Sequence, residues 1–296
     1  MEPMKKESFA KRRRRRQVHR QLVILGMIAL GILIAAIGYK FLREKQEKEA
    51  KEAVRIEQEK QETLKKQAAS QNKANQETEE QRLERVRTQA KERGYPAGVI
   101  ELLDKNPETV DFVEDYEEKK NEPYAETIGD QLKEGEIPLL LQWDERWGYA
   151  PYGTSIVAVS GCGPTCMAMV ASGLNQDPSI TPDKVAAYGT EHGYVDEDNN
   201  TYWAFMKEAG KNWNLSCYEG NLTEEQVSRE LVAGHPIICS VGPGDFTKIG
   251  HFIVLTGYEN GSVTVNDPFS QENSDKSWKF TQIQEQIKAM WVYSKK

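Results

Sequence analysis

Eighteen consecutive residues, Leu22 to Tyr39, carry no charge, and five consecutive arginines, Arg12 to Arg16, stand just before them. No other stretch limits the fold of the chain so strongly. As a helix rising 1.5 Å per residue the run is about 27 Å long, close to the hydrocarbon thickness of a bilayer. The arginines then keep the N-terminus cytoplasmic and send everything after Arg43 outside the cell. A cleaved signal peptide is the competing reading, because Ala36-Ile37-Gly38 resembles a cleavage site. The run is longer than the usual apolar core of such a peptide, which favours an uncleaved anchor.

Charge divides the chain at the same place. Residues 1–20 hold nine Lys or Arg against two Glu, a net of +7, whereas the whole chain is −7, so residues 21–296 are −14. A nucleic-acid partner is not expected, because a basic run abutting a membrane span already has its explanation. The expected order is a cytoplasmic basic tail at 1–20 and a transmembrane signal anchor at 21–42. A charged helical or disordered stalk at 43–93, a helical lead-in at 94–136 and one domain at 137–296 follow. The stalk is rich in Glu, Lys, Gln, Arg and Ala, with no Gly before Gly94 and no Pro before Pro96. Its apolar positions are too sparse for a heptad seam. In the lead-in, Asn106-Pro107 reads as an N-cap followed by proline at the first helical position.

From residue 137 on, helical and strand signals alternate. Thr181-Pro182, Thr223-x-x-Gln226 and Thr281-x-x-Gln284 read as helix starts. Ile237–Val241, His251–Gly257 and Ser262–Asn266 read as strands, with Asn260-Gly261 as the hairpin turn between the last two. Trp291-Val292-Tyr293 reads as a closing strand. This pattern predicts an α+β domain.

Four cysteines are few for an exported disulfide framework, and a Cys217–Cys239 bridge stays open. Cys162 stands in Ser160-Gly161-Cys162-Gly163-Pro164-Thr165-Cys166, with small residues and a helix-compatible proline before Met167, Val170, Ala171 and Leu174 on one predicted buried face. A cysteine at a helix start sees free N–H groups and the positive dipole end, both of which favour the thiolate. A buried structural cysteine is the alternative. A nucleophilic cysteine needs a base and a group to orient it. Of the four histidines, His19 falls in the cytoplasmic tail, His192 in a polar loop and His235 at a strand start. His251 begins the apolar strand whose hairpin partner ends at Asn266-Asp267-Pro268. Pairing around Asn260-Gly261 then brings Asp267 near His251, where it orients the imidazole. Trp143, Trp147, Tyr149 and Tyr152 either line the cleft or pack the core. No metal or cofactor is expected: Cys162 and Cys166 lack a second close ligand pair, and Asp196-x-Asp198-x-Asn200 lacks the glycine and final carboxylate of a calcium loop.

Gly161-Cys162-Gly163-Pro164-Thr165, Gly250-His251-Phe252-Ile253-Val254 and Asn266-Asp267-Pro268 resemble the Cys, His and Asp motifs of papain-like peptidases related to the bacteriocin-processing (double-glycine) peptidase domains. Ile137-Pro138-Leu139-Leu140-Leu141-Gln142-Trp143-Asp144 resembles the start of the same domain, and the likeness extends over residues 137–293. It implies a papain-like fold, in which a helix carrying the Cys packs on an antiparallel sheet carrying His and Asp. It also implies Cys162 as nucleophile, His251 as general base, Asp267 as its orienter and Gln142 as an oxyanion-hole donor. Nineteen residues separate Gln142 from Cys162, against only a few in transporter-fused processing domains. The expected activity is that of a membrane-anchored extracytoplasmic cysteine peptidase acting on a peptide or protein, with the cell wall as a further contact. The competing expectations are a peptidoglycan stem-peptide amidase and a catalytically silent binding module of the same fold.

Overall fold

The structure, a computed structural model, describes residues 77–296 and a few positions scattered between Arg20 and Lys60. The anchor expected at 21–42 and most of the stalk lie outside the described residues. Among the described residues no helix is long and apolar enough to cross a membrane. The chain divides into two units, Met1–Glu77 and Thr78–Lys296, and the second carries the fold described below.

Thr78 opens this second unit with a reciprocal cap: its Oγ1 accepts the Gln81 N–H at 3.2 Å while Gln81 Oε1 accepts the Thr78 N–H at 3.0 Å. The helix it starts, α1 (Glu79–Glu92), lies inside the 43–93 segment expected to be solvated. Leu83, Val86 and Ala90 recur at helical spacing, and this narrow stripe suffices to bury the helix face. Its partners are α2 (Ala97–Lys105) and α3 (Val110–Glu114), through Val99, Leu102, Leu103, Phe112 and Val113. A single turn, α4 (Tyr116–Lys119), follows. The same cluster continues into Tyr149 and Ala158, with the Phe112 and Tyr149 rings stacked at 4.1 Å.

A two-stranded hairpin, β1 (Pro151–Tyr152) and β2 (Ser155–Ile156), leads into α5 (Val157–Ser160) and α6 (Cys162–Asn175). Next come α7 (Pro182–Glu191), α8 (Trp203–Glu208), β3 (Leu215–Glu219), α9 (Glu224–Val232), β4 (Ile237–Val241), β5 (His251–Glu259) and β6 (Ser262–Asn266). The chain closes with α10 (Gln271–Ser274), β7 (Ser277–Lys279), α11 (Phe280–Ile283) and β8 (Ile287–Lys295). The strands β3 to β8 form one antiparallel sheet in the order β3-β8-β4-β5-β6-β7. The fold is α+β, as the alternating signals predict.

Side chains alternate across this sheet with period two. Ile238, Phe252, Val254, Trp291 and Tyr293 join the core built around α6. Ile237, Cys239, Ile253, Leu255, Met290 and Val292 join a second core with Val227 and Leu231 of α9. Both faces are therefore covered, which is why β4 reads as an unbroken apolar run. The one buried face expected for α6 is corrected: every residue from Gly163 to Gly173 is buried, because the sheet, α7 and the 136–137 segment surround the helix. The helix expected from Thr281 is a single turn beginning at Phe280, after which β8 starts earlier than the Trp291-Val292-Tyr293 signal.

Candidate active site

The 162–175 helix starts at Cys162 because the chain cannot run straight through Gly161, which takes φ −89° and ψ 22° between α5 and α6. Pro164 fits the first turn, where a missing N–H costs nothing. Close packing then fixes the start of the helix. A Cβ on Gly163 would lie 2.6 Å from Thr201 Oγ1, and that hydroxyl is 2.6 Å from the Tyr152 hydroxyl. Only glycine fits there.

His251 begins β5, and the hairpin brings Asp267 to it. The turn residues Asn260 and Gly261 have φ of 50° and 77°, the left-handed pair that a tight hairpin requires. Val254 pairs with Asn266, after a register shift between Leu255 and Gly257. Extending that register sets Asp267 opposite Ile253, two positions from His251, a diagonal that these side chains span. His251 Nε2 is 2.7 Å from Asp267 Oδ1, with the imidazole side chain 9% and the carboxylate 1% exposed. The other ring nitrogen, Nδ1, is not taken by Asp267, and the Cys162 sulfur acts on the ring strongly enough to raise its pKa.

Burial opposes an imidazolium here, but the Asp267 carboxylate and the Cys162 sulfur outweigh it and push His251 up to about 10. Burial likewise pushes Asp267 upward, and the His251 charge and hydrogen bond overcome it. Asn273 Nδ2 donates to Asp267 Oδ2 at 2.9 Å and the Phe269 N–H donates to Oδ1 at 2.9 Å. With these donors the carboxyl is held below its ordinary range. The result is a buried carboxylate and imidazole held together, each stabilising the other's charged form.

Gln142 lies beside this group. Its N–H donates to Pro268 O at 2.7 Å, and its Nε2 donates to Ala158 O at 2.8 Å and to Val157 O at 3.5 Å. Ala158 stands four residues before Cys162, so the fold closes the long sequence gap between Gln142 and the thiol. Gln142 Oε1 is buried with no partner among the described residues.

The other candidates separate cleanly. His192 stacks on Tyr188 at 4.0 Å, and His235 Nδ1 is 2.9 Å from Glu230 Oε2, both apart from the thiol. All four cysteines are free, so Cys217 and Cys239 form no bridge. Burial pushes the Cys166 thiol well above its ordinary value and Cys217 up to about 11. Among the described residues no group of three or more His, Cys, Asp or Glu is placed to hold a metal. Asp196 instead closes its own loop by accepting the N–H groups of Asp198 and Asn200. Trp147, Tyr149 and Tyr152 belong to the core rather than the cleft. Trp143 is half-buried and donates Nε1–H to Phe269 O at 2.8 Å.

Sequence reasoning missed Asn273 and Ser274, whose side chains hold Asp267. It also missed Asn106, Glu108 and Trp143, which hold the loop after it. The only local signal was Ser270-x-x-Asn273, where Ser270 Oγ accepts the Asn273 N–H at 3.1 Å as a helix cap. Half-exposed Tyr202 and Trp203 follow Thr201, whose side chain packs on Gly163, and Trp203 meets Trp291 edge-on at 5.7 Å.

Residues 134–296, more than half of the chain, match the model of the Peptidase_C39 like family. Among solved structures, the peptidase domain of Streptococcus ComA, described as a bifunctional ABC transporter of a quorum-sensing pathway, is 19% identical. That likeness covers 46% of this chain and 93% of that one, with a TM-score of 0.37. A C39-like peptidase from Bacillus anthracis is 16% identical over 55% of this chain and 96% of that one, also with a TM-score of 0.37. No curated protein matches the chain. By its family match, the chain belongs to the Peptidase_C39 like family and is a cysteine peptidase.

Proposed function

We propose that this cysteine peptidase is anchored in the plasma membrane by residues 21–42 and acts outside the cell, with Cys162 as nucleophile, His251 as acid and base, and Asp267 as orienter. The observation that carries the site assignment is the 2.7 Å contact between His251 Nε2 and Asp267 Oδ1, on a ring that the Cys162 sulfur also acts on. The uncharged run and the arginines before it support the anchor.

In this reading Cys162 gives its thiol proton to His251, and the sulfur attacks a peptide carbonyl and forms a C–S bond. The tetrahedral oxyanion collapses, the C–N bond breaks, and the amine leaves with a proton from His251 Nδ1. Water then attacks the thioester, giving a proton to His251, and the C–S bond breaks to release the acid and restore the thiol–imidazole pair. The oxyanion donors are the Cys162 backbone N–H and Gln142 Nε2. Gln142 serves by turning one N–H from the long contact with Val157 O while keeping Ala158 O. Exposed Trp203 and Tyr202 offer an apolar rim on which a peptide side chain rests.

The test is labelling by a thiol-directed active-site probe together with peptide hydrolysis, both lost in Cys162→Ala. Unchanged labelling of that variant overturns the assignment. Release of muropeptides from purified cell wall makes the substrate a stem peptide, and an unlabelled, inactive wild type makes the domain a silent binding module. A reporter fused after residue 60 that is active only in the cytoplasm refutes the topology.

A further inference from the structure

Asp267 is the first residue after β6, in a loop, and nothing in β6 itself fixes its carboxylate. Its two oxygens are held by two separate routes. Oδ1 takes the Phe269 N–H at 2.9 Å, and Phe269 is fixed from its carbonyl side, which accepts Asn106 Nδ2 at 2.5 Å and Trp143 Nε1 at 2.8 Å. Oδ2 takes Asn273 Nδ2 at 2.9 Å, and Asn273 sits in α10, whose opening N–H groups at Gln271 and Glu272 donate to the Glu108 carboxylate at 2.8 and 2.9 Å. The Ser270 hydroxyl is 3.4 Å from the same carboxylate. Asn106 is itself buried, with Oδ1 accepting the Glu108 N–H at 3.0 Å, so the donor Asn106 and the acceptor Glu108 form one rigid corner. This corner is more than 160 residues away in sequence and precedes the family-matched residues 134–296.

We infer that Asn106 and Glu108 are positioning residues, which act through the 267–274 loop to aim Asp267 at His251. The inference rests on the assignment of Cys162, His251 and Asp267 as the catalytic group. Without the corner, Phe269 loses a carbonyl partner and α10 loses the acceptor of its first two N–H groups. Both carboxylate oxygens of Asp267 then gain freedom at the point where a small displacement breaks a 2.7 Å contact.

The test uses the full chain and iodoacetamide, read as the rate of Cys162 modification at neutral pH by peptide mass, which needs no substrate. Cys166, buried one turn along the same helix, stays unmodified in every folded variant and serves as the internal folding check. Glu108→Ala slows Cys162 modification about fivefold, the weight of roughly one net hydrogen bond. Glu108→Gln, which keeps one acceptor oxygen, recovers part of the loss and remains informative should the alanine variant unfold. In an Asp267→Asn background, Glu108→Ala adds no further loss, because its route to the imidazole is already cut. Glu101→Ala, on the exposed side of α2, leaves the rate unchanged. Equal slowing by Glu108→Ala in both backgrounds, or no slowing where Asp267→Asn does slow the thiol, overturns the positioning role and leaves the catalytic group standing. An Asp267→Asn variant as reactive as wild type overturns the catalytic group itself.

Discussion

Asp267→Asn keeps the shape of a side chain that is 1% exposed and removes its charge. With Asp267 ionised the His251 ring is pushed up to about 10, against burial that works the other way. Once the charge is gone, burial pulls the ring to the ordinary histidine value of about 6.5 or below. That difference corresponds to on the order of 5 kcal/mol, at the top of the about 3–5 kcal/mol for breaking a buried pair by removing one partner. For a domain of this size the melting temperature falls by about 10 °C near pH 6. The folded protein keeps its His251 proton above the pH at which the unfolded chain loses it. The pair's contribution is therefore complete below about pH 6.5 and is lost as the pH rises toward about 10. On the acid side Asp267, held low in the folded state, gives up the same contribution as the pH falls through its lowered value. Thermal scans of wild type and variant from pH 5 to 10 will show a gap that is widest near pH 6 and closes toward pH 10. Cys162 alkylation at pH 7 will fall about 100-fold. Parallel melting curves over that whole range, or an unchanged thiol, would refute the ion-pair reasoning.

Two other substitutions separate roles that lie close together. Gln142→Ala will lower peptide hydrolysis by about 10²- to 10³-fold while leaving alkylation of Cys162 nearly unchanged, because alkylation creates no oxyanion; equal losses in both assays would make Gln142 a scaffold of the 157–158 turn instead. Gly163→Ala puts a methyl 2.6–2.9 Å from three Thr201 side-chain atoms, and the overpacking will cost about 1–3 kcal/mol, read as a lower melting temperature. A variant as stable as wild type would mean that the 195–202 loop yields freely.

The strands of the central meander were legible because their patterns are local. Ile237–Val241 and Ser262–Asn266 have the predicted bounds, and the Asn260-Gly261 turn carries its own backbone requirement. The diagonal relation of His251 to Asp267 follows from that hairpin, so the heart of the site was readable before any coordinates. β3 and β7 were not, since each is an edge strand with alternating exposure and little apolar signal. The packed helix α1 was also hidden. Three buried positions among a majority of charged residues look like a solvated stalk until a partner surface is known. The restraints on Asp267 were the least legible, because Asn106 and Glu108 act from more than 160 residues away and their types suit ordinary helix caps equally well.

The physical boundary of the domain differs from the boundary of the family match, and the difference bears on how the enzyme works. The match begins at residue 134, whereas the compact unit begins at Thr78. Cutting between them would uncover the Tyr149 face that stacks on Phe112 and remove the acceptor of the Tyr149 hydroxyl, which donates to Phe112 O at 2.9 Å. It would also remove the Asn106 donor from the Phe269 carbonyl and the Glu108 acceptor from two N–H groups of α10, beside the residue that holds His251. Surface ion pairs such as Arg85–Glu114 contribute little by comparison, since both partners are solvated. The lead-in is therefore bound to the site through buried apolar contact and through the Asn106 and Glu108 side chains. In this chain the peptidase domain and its lead-in fold as one unit, and the geometry of the Asp267 carboxylate is a property of both.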